Sequence, residues 1–523
     1  MIAQMATLTT RMTAAERRAE RKANPPLAMI TLTVMLGLIM AIIDASIVNV
    51  ALNDMAGNLG SSIDEIGWVA TGYILANVVV MPLNGWLTQR FGRRNFYAGC
   101  LVIFTLASLL CGTAHNVWQL VFYRVIQGLG GGALQPTAQA ILFETYPPEK
   151  RANAMAIFGI GAMVGPAIGP TLGGVIVDNY AWPLIFYINI PIGIIAFLMT
   201  LAFIRDPAYL KRDRSPIDYA GLALLTAGVA SLQYVLERGQ REDWFSSSTI
   251  VVLTIVSIVS LVVFCVKEWY DPRPLVDLHV FKSRAFSAGS VIGIVTGFGL
   301  FGTALVLPLF LQNVLGFTAT ETGFVLLPGA IATALSMPIA SRLVAKVDGR
   351  ALIAFGMLLF AISAWWMGGI NQSAGYWDVF WPRSLQGFAL GFLFVPLTTA
   401  ALGEIPRQLM ANATGIYTLV RQLGGSLGIA ILQLLQTRYQ DNAYAALAAG
   451  VTLTNPEISR YLRDLHGTAA QLYGMVMLNA AVISYDMVLR LCGIVFVLTI
   501  PMVMLLRWPK PGSEPTAAAA AVD

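Results

Sequence analysis

The sequence predicts an all-α integral membrane protein of fourteen membrane-spanning helices. They are ordered as six, an inserted pair and six more, with both termini on the cytoplasmic side. Three observations predict it: long apolar runs, basic residues confined to one set of loops, and an echo between the two ends of the chain. Of the 523 residues, 57% are hydrophobic and 12% charged, against about 25% charged in an ordinary soluble domain. The mean hydropathy is +0.69. That little charge cannot cover a soluble surface, which excludes a large soluble enzyme.

A helix needs about 20 apolar residues to cross a hydrocarbon core about 30 Å thick. Runs of that length predict spans near 28–52, 65–87, 96–114, 118–143, 153–177 and 183–204, a pair near 217–236 and 248–267, and six more near 285–312, 321–344, 351–370, 378–403, 412–436 and 481–507. The first run exceeds the core of a signal peptide. The basic segment before it (Arg17, Arg18, Arg21, Lys22) is expected to hold residues 1–26 in the cytoplasm. The predicted organisation is then a six-helix bundle over 27–204, a two-helix linker over 205–284, and a second bundle over 285–507. The second bundle carries an outer segment, 437–480, of mixed polarity and expected to be partly helical. The tail 508–523, ending in Glu514 through Asp523, is low-complexity and predicted to be disordered.

The loops test this count independently. With both termini inside, the cytoplasmic turns hold Arg90, Arg93 and Arg94, then Lys150 and Arg151, Lys211, Arg212 and Arg214, Lys282 and Arg284, and Lys346 and Arg350. Only Arg238, Arg241, Arg438, Arg460 and Arg463 fall outside. Such asymmetry is the positive-inside bias, and an odd number of spans would scramble it. The net charge of +5 therefore reflects orientation and carries no sign of nucleic-acid binding. Cys100, Cys111, Cys265 and Cys492 lie in apolar stretches without metal-type spacing and read as small packing residues.

The two ends of the chain repeat one another. Arg124-Val-Ile-Gln-Gly128 in the fourth span matches Arg383-Ser-Leu-Gln-Gly387 in the twelfth, each followed by a proline, Pro136 and Pro396. The basic turn Phe91-Gly92-Arg93-Arg94 matches Val347-Asp348-Gly349-Arg350. Parallel six-helix halves with substrate bound between them are the architecture of major facilitator transporters. A channel built as an oligomeric ring would need a filter sequence, and none is visible.

Local motifs resemble that superfamily closely. Gly85-Trp-Leu-Thr-Gln-Arg-Phe-Gly-Arg-Arg94 is similar to its cytoplasmic signature between helices 2 and 3, with Gln89 where the family has aspartate. The resemblance makes Gly85, Gly92, Arg93 and Arg94 gating residues, and the substitution at Gln89 removes the charge from the ionic latch. Gly161-Ala-Met-Val-Gly-Pro-Ala-Ile-Gly-Pro-Thr-Leu-Gly-Gly174 resembles the antiporter motif of exporters. Gly161, Gly165, Gly169 and Gly173 recur every four residues and leave one helix face bare, fit for close approach or sliding. Pro166 and Pro170 remove backbone donors and invite bending. Ile43-Asp-Ala-Ser-Ile-Val-Asn-Val-Ala-Leu52 resembles the helix 1 signature of fourteen-helix drug:proton antiporters, the EmrB/QacA-like group, with Asn53 where proline is usual. Trp68-Val-Ala-Thr-Gly-Tyr73, Phe186-Tyr-Ile-Asn-Ile-Pro-Ile-Gly193, Val276 through Phe281, Leu326-Leu-Pro-Gly329 and Arg421-Gln-Leu-Gly-Gly-Ser426 match the same group. Trp182-Pro-Leu departs from its Trp-Arg-Trp.

Proton coupling needs a group that is charged in one part of the cycle and neutral in another. Asp44 lies about two-thirds along an otherwise apolar first span, where a charge costs roughly 3 kcal/mol or more. It is the leading candidate, against a structural aspartate bonded to Ser46 or Asn49. Arg124 is the second intramembrane charge, and the motif it resembles has a part in proton transfer. Asp486 is a weaker coupling candidate, Arg383 and Arg421 read as structural or conformational, and Glu144 as solvated at a helix end. For lipophilic substrates the candidate surface is Asn49, Trp68, Tyr73, Asn77, Gln127, Gln135, Phe301 and Gln312, aromatic walls with few polar anchors. His115, His279 and His466 have no catalytic partner at a telling spacing, and neither a Walker motif nor a Ser/His/Asp set is present.

The reading is a proton-driven exporter of lipophilic or cationic drugs in the bacterial inner membrane, with no cofactor beyond the coupling proton, no bound metal and no enzymatic activity. The resemblance also implies a periplasmic adaptor and an outer-membrane channel as partners. Export of a specific metabolite, fatty acid or siderophore is the alternative, and a non-transporting membrane sensor a more distant one.

Overall fold

A computed structural model describes residues 25–506 and 508, apart from 211, 213–214, 453–454 and 464–467. Arg17, Arg18, Arg21, Lys22, His466 and the tail from Glu514 lie outside the described residues. The first bundle comprises α1 (Leu27–Leu59), α2 (Ile63–Phe91), α3 (Arg93–Gly112), α4 (Val117–Gly131, continued by Leu134–Thr145), α5 (Arg151–Asn179) and α6 (Leu184–Phe203). α7 (Tyr219–Arg238) and α8 (Ser248–Tyr270) are the inserted pair. The second bundle comprises α9 (Arg284–Asn313), α10 (Ala319–Leu343), α11 (Gly349–Met367), α12 (Tyr376–Gly403), α13 (Met410–Ala449) and α14 (Ala469–Thr499).

Among the described residues, thirteen helices are long and apolar enough to cross a membrane. α4 is the fourteenth, interrupted at Gly132 and Ala133 into helices of 15 and 12 residues. Pro136 has no N–H to offer the Gly132 carbonyl, which opens the ladder there. The glycines beside it serve packing. A methyl group at Gly128 would meet the Tyr73 carbonyl at 2.6 Å, and one at Gly132 the Asn77 carbonyl at 2.6 Å. α4 thus lies backbone to backbone on α2, as small residues permit where lipid removes the hydrophobic drive for association.

The bare face of α5 meets α1. Methyl groups at Gly165 and Gly169 would overlap Ile42 and Ser46, while Gly161 faces Met35 and Gly173 faces Ile47. Ser46 donates to the Gly165 carbonyl at 2.9 Å. α5 stays helical through Pro166 and Pro170, with Pro166 exposed and Pro170 partly buried.

The outer segment 437–480 is helical over most of its described residues. α13 runs 40 residues to Ala449, about 60 Å at 1.5 Å per residue, which is twice the hydrocarbon thickness. α14 begins at Ala469, and Tyr444 meets Tyr473 edge to face at 6.0 Å. Both helices therefore continue past the membrane as a packed pair, joined through a short helix, Pro456–Arg463. Mixed polarity marks where the hydrocarbon ends, and a helix need not end there.

The cores show which way the molecule faces. One cluster joins the two halves at the end that the loop charges assign to the cytoplasm, with Phe143 and Phe158 packed alongside Met337, Phe394 and Met410. Toward the outer end the halves have separate cores, Ile47, Val48, Ile66 and Phe186 in one and Phe298, Phe310, Phe360 and Phe496 in the other. Phe158 stacks on Phe394 at 6.0 Å and 13°, and Asn84 Nδ2 donates to the Ala411 carbonyl at 2.8 Å. A methyl group at Gly85 would sit 2.7 Å from Asn412 Cβ. The arrangement is outward-facing. α7 covers the edge between the halves, with Gln233 donating to Ser426 of α13 at 2.9 Å and Glu237 accepting from Thr71 of α2 at 2.8 Å.

Candidate functional site: a buried acid–base pair in the first half

Asp44 sits on the buried side of α1 and is 0% exposed, as is Arg124 at 1%. Arg124 Nη1 donates to Asp44 Oδ2 at 2.6 Å. The other carboxylate oxygen accepts from Gln127 Nε2 at 2.9 Å and Asn189 Nδ2 at 2.7 Å. Both amides also donate to Ser108 Oγ, at 2.6 Å and 3.0 Å. Four helices, α1, α3, α4 and α6, thus converge on one carboxylate. Each donor is neutral except the guanidinium, so the cluster is balanced only while Asp44 is ionised.

Arg124 is held on its other sides as well. Its Nε donates to the Val69 carbonyl at 3.2 Å, its Nη1 also to Gln127 Oε1 at 2.6 Å, and the Tyr73 ring lies 4.1 Å beneath it. A cation pinned by a backbone carbonyl and an aromatic face stays in place if the carboxylate changes charge. The i, i+3 spacing of Arg124 and Gln127 puts both on one face of α4, which the repeat motif encodes directly.

Several residues expected along a substrate wall sit elsewhere. Gln127 spends its amide on Asp44, and Tyr73 and Asn77 face the glycine run of α4. Trp68 packs on α7, 5.7 Å from Tyr234 and 4.7 Å from the Arg238 guanidinium. Phe301 lies over Gly425 of α13. Asn49 and Gln312 are exposed and Gln135 is partly buried. Asp486 is paired with Arg490 of its own helix at 2.5 Å, against Gly368 just past the end of α11. Ser46 and Asn49 bond their own helix and α5 and leave Asp44 alone. A cavity of about 440 Å³ opens at the outer ends of α9, α13 and α14, lined by Asn313, Gln436, Gln440 and Tyr485, and does not reach the Asp44 cluster.

Asn189 and Ser108 complete the site without having been singled out from sequence. Asn189 lies within Phe186-Tyr-Ile-Asn-Ile-Pro, a stretch that resembles the family without marking which of its residues meets the carboxylate. Replacing Asn189 by alanine leaves Asp44 one donor short, and a hydrogen bond to a charged group contributes about 1.5–3 kcal/mol. Gradient-driven efflux from membrane vesicles is expected to fall about tenfold or more in Asn189→Ala with normal insertion. Full activity would remove Asn189 from the site.

The cytoplasmic turn is built on charge. Arg93 Nη2 reaches both oxygens of Glu144 at 2.8 Å and Tyr209 Oη at 2.9 Å. Tyr209 in turn donates to Glu144, and burial pushes its hydroxyl up to about 12, so it remains a donor. Glu144 is therefore not solvated, its side chain being 5% exposed. Gly92 stands at φ +83° against Asp206, whose carboxylate accepts from the Arg94 backbone N–H at 2.9 Å. Arg94 also donates to the Leu201 carbonyl at 2.6 Å.

Two six-helix halves closed against each other at one end, with an ion pair buried inside the first, have the architecture of a membrane transporter. Residues 34–429 match the Major Facilitator Superfamily. Multidrug export protein EmrB of Escherichia coli (strain K12) is 38% identical over 442 residues, 84% of this chain and 86% of that protein. Probable multidrug resistance protein EmrY of the same strain is 34% identical over 493 residues, 92% and 95% of the two chains. Fatty acid resistance protein FarB of Neisseria gonorrhoeae is 34% identical over 499 residues, 92% and 96%. The human organic anion transporter MFSD10 shares the fold, with a TM-score of 0.59 at 14% identity over 92% of this chain and 100% of that one. The chain belongs to the Major Facilitator Superfamily and, within it, to the EmrB/QacA-like multidrug exporters.

Proposed function

We propose that this exporter is a proton-driven antiporter, working by alternating access in the inner membrane with the proton as its coupling ion and no other cofactor. The observation that supports it is the Asp44–Arg124 pair, buried between four helices of one half. In the outward-facing state Asp44 takes a proton from outside. The ion pair loosens, Arg124 remains held by Val69 and Tyr73, and the change at α1 is passed to α5 across their glycine contact. The halves then rock to the inward-facing state, where Asp44 gives up its proton and lipophilic or cationic drugs enter from the cytoplasmic side. The names of the relatives support drugs as cargo. FarB supports the second reading, export of a fatty acid or another specific metabolite.

Everted vesicles given a fluorescent drug in the outer medium test the proposal. Uptake that depends on a proton gradient and collapses with an uncoupler supports it. Uptake indifferent to the uncoupler overturns it.

An adaptor and an outer-membrane channel belong to the same proposal. The projecting ends of α13 and α14 are the docking element it requires. Shortening both helices beyond Thr437 and Leu478 is expected to abolish resistance in whole cells while leaving vesicle transport intact. Resistance that survives would detach this projection from any partner.

A further inference from the structure

The inserted pair carries a carboxylate that the antiport cycle proposed above does not use. Glu237 lies in the last turn of α7, at the outer end of that span, where α7 covers the edge between the halves. Its Oε1 accepts from Thr71 of α2 at 2.8 Å, and its Oε2 is buried without a hydrogen-bond partner. One turn back on the same face, Gln233 donates to Ser426 of α13 at 2.9 Å. Beyond the end of α7, Gln240 reaches Thr437 of α13 at 3.5 Å. One edge of α7 therefore ties α2 of the first half to α13 of the second, with Glu237 between the attachments.

The charges around Glu237 leave it without a direct partner. Arg238 and Arg241 are the cations that act on it, yet among the described residues neither forms an ion pair with it. Arg238 donates to the Asp64 carbonyl at 3.4 Å and lies 4.7 Å over the Trp68 ring, while Arg241 is turned toward Gly67 of α2. Of the acids at the outer start of α2, Asp64 and Glu65, the second caps that helix. Tyr234, on α7 itself, donates to Glu242. α13 has no charge between Arg421 and Arg438, and the charges of α8, Lys267 and Glu268, stand at its cytoplasmic end.

Thr71 also brings Glu237 close to the ion pair of the first half. Val69, whose carbonyl holds Arg124, and Tyr73, whose ring lies beneath it, are each two residues from Thr71, about 200° round α2. One stretch of α2 thus has the Asp44–Arg124 pair on one side and Glu237 on the other.

We infer that Glu237 is a proton-operated catch on the outer mouth, a positioning residue that must be neutral before the mouth closes. The inference rests on alternating access as proposed above. Rocking to the inward-facing state brings the outer ends of α2 and α13 together beneath α7, which shuts Glu237 deeper between them. A carboxylate with one bare oxygen resists that burial far more than the protonated acid does. Glu237 takes its proton from the outer medium while the mouth is open and returns it there when the mouth reopens. Asp44 alone carries a proton across.

The full chain in lipid nanodiscs tests this without drug or gradient. Its four cysteines are replaced and Asn49→Cys is added, at a position exposed in the outward-facing state. The rate of labelling by an impermeant thiol reagent, normalised to the unfolded chain at each pH, reports how much of the protein is open. Closure that takes up two protons gives the closed-to-open ratio a limiting slope of about two decades per pH unit, and closure with one proton about one. The native chain is expected near the first slope and Glu237→Gln near the second, with its mouth more closed at neutral pH. Glu237→Asp is expected to keep the native slope, which separates lost titration from lost packing. A native slope near one, a slope unchanged in Glu237→Gln, or a slope lost equally in Glu237→Asp would overturn the inference. Uncoupler-indifferent drug uptake beside the expected slopes would count against proton antiport alone.

Discussion

Asp44→Asn is expected to abolish proton-driven export while leaving the protein in the membrane. Asparagine matches the carboxyl in size and keeps an acceptor for Gln127 or Asn189, but it can neither ionise nor carry a proton. It also leaves Arg124 buried opposite an amide. Removing one partner of a buried ion pair costs about 3–5 kcal/mol, so the single variant confounds loss of coupling with loss of fold. The double variant Asp44→Asn/Arg124→Gln removes both charges and separates the two. In both variants uncoupler-sensitive drug uptake into everted vesicles is expected to fall at least about a hundredfold, a few kcal/mol of lost coupling. Drug binding by the purified double variant should survive. Uncoupler-sensitive uptake at the native rate in Asp44→Asn would move the coupling site elsewhere. Asp486 would then be next, although Arg490 already neutralises it within α14.

The charge pair was legible in sequence for a simple reason. Asp44 and Arg124 interrupt apolar runs, and any intramembrane charge stands out against hydrocarbon. Their partners did not stand out. Asn189 and Ser108 are 145 and 81 positions from the groups they bond, and a lone amide or hydroxyl in a span gives no hint of what it will face. Gln127 is visible in sequence but its bond to Asp44 is not, because spacing on α4 tells which residues share a face and not which helix packs there. Hydropathy placed all fourteen spans and read 437–480 as partly helical, but not that α13 and α14 run on into it, since it reads the end of the bilayer and not the end of a helix. Glu144 was read as solvated for a related reason. Its position at a helix end is visible in sequence, whereas the loop that covers it with Tyr209 is not.

Locking the cytoplasmic closure is expected to stop transport just as completely, and reversibly. Asn84 of α2 and Gly415 of α13 belong to opposite halves, and a Cβ on Gly415 would lie 3.2 Å from Asn84 Cβ. Disulfides hold their Cβ atoms about 3.5–4.5 Å apart, and a Gly415 Cβ would also overlap the Met81 carbonyl oxygen, so Asn84→Cys with Gly415→Cys requires α2 and α13 to part locally to make room. The variant is made with Cys100, Cys111, Cys265 and Cys492 replaced by alanine or serine. Oxidation should cross-link the halves on the cytoplasmic side, end export, and hold the outer cleft open; reduction should restore export to the level of the unoxidised pair. With Asn49→Cys added in a blocked, cross-linked chain, an impermeant thiol reagent is expected to label it from outside, because Asn49 is exposed on α1 in this state. Rocking of two rigid halves requires that a bond at one end stop motion at the other. Continued export by fully cross-linked protein would mean that α2 and α13 do not separate during the cycle, and the inward-facing state would then have to open between α5 and α10 alone.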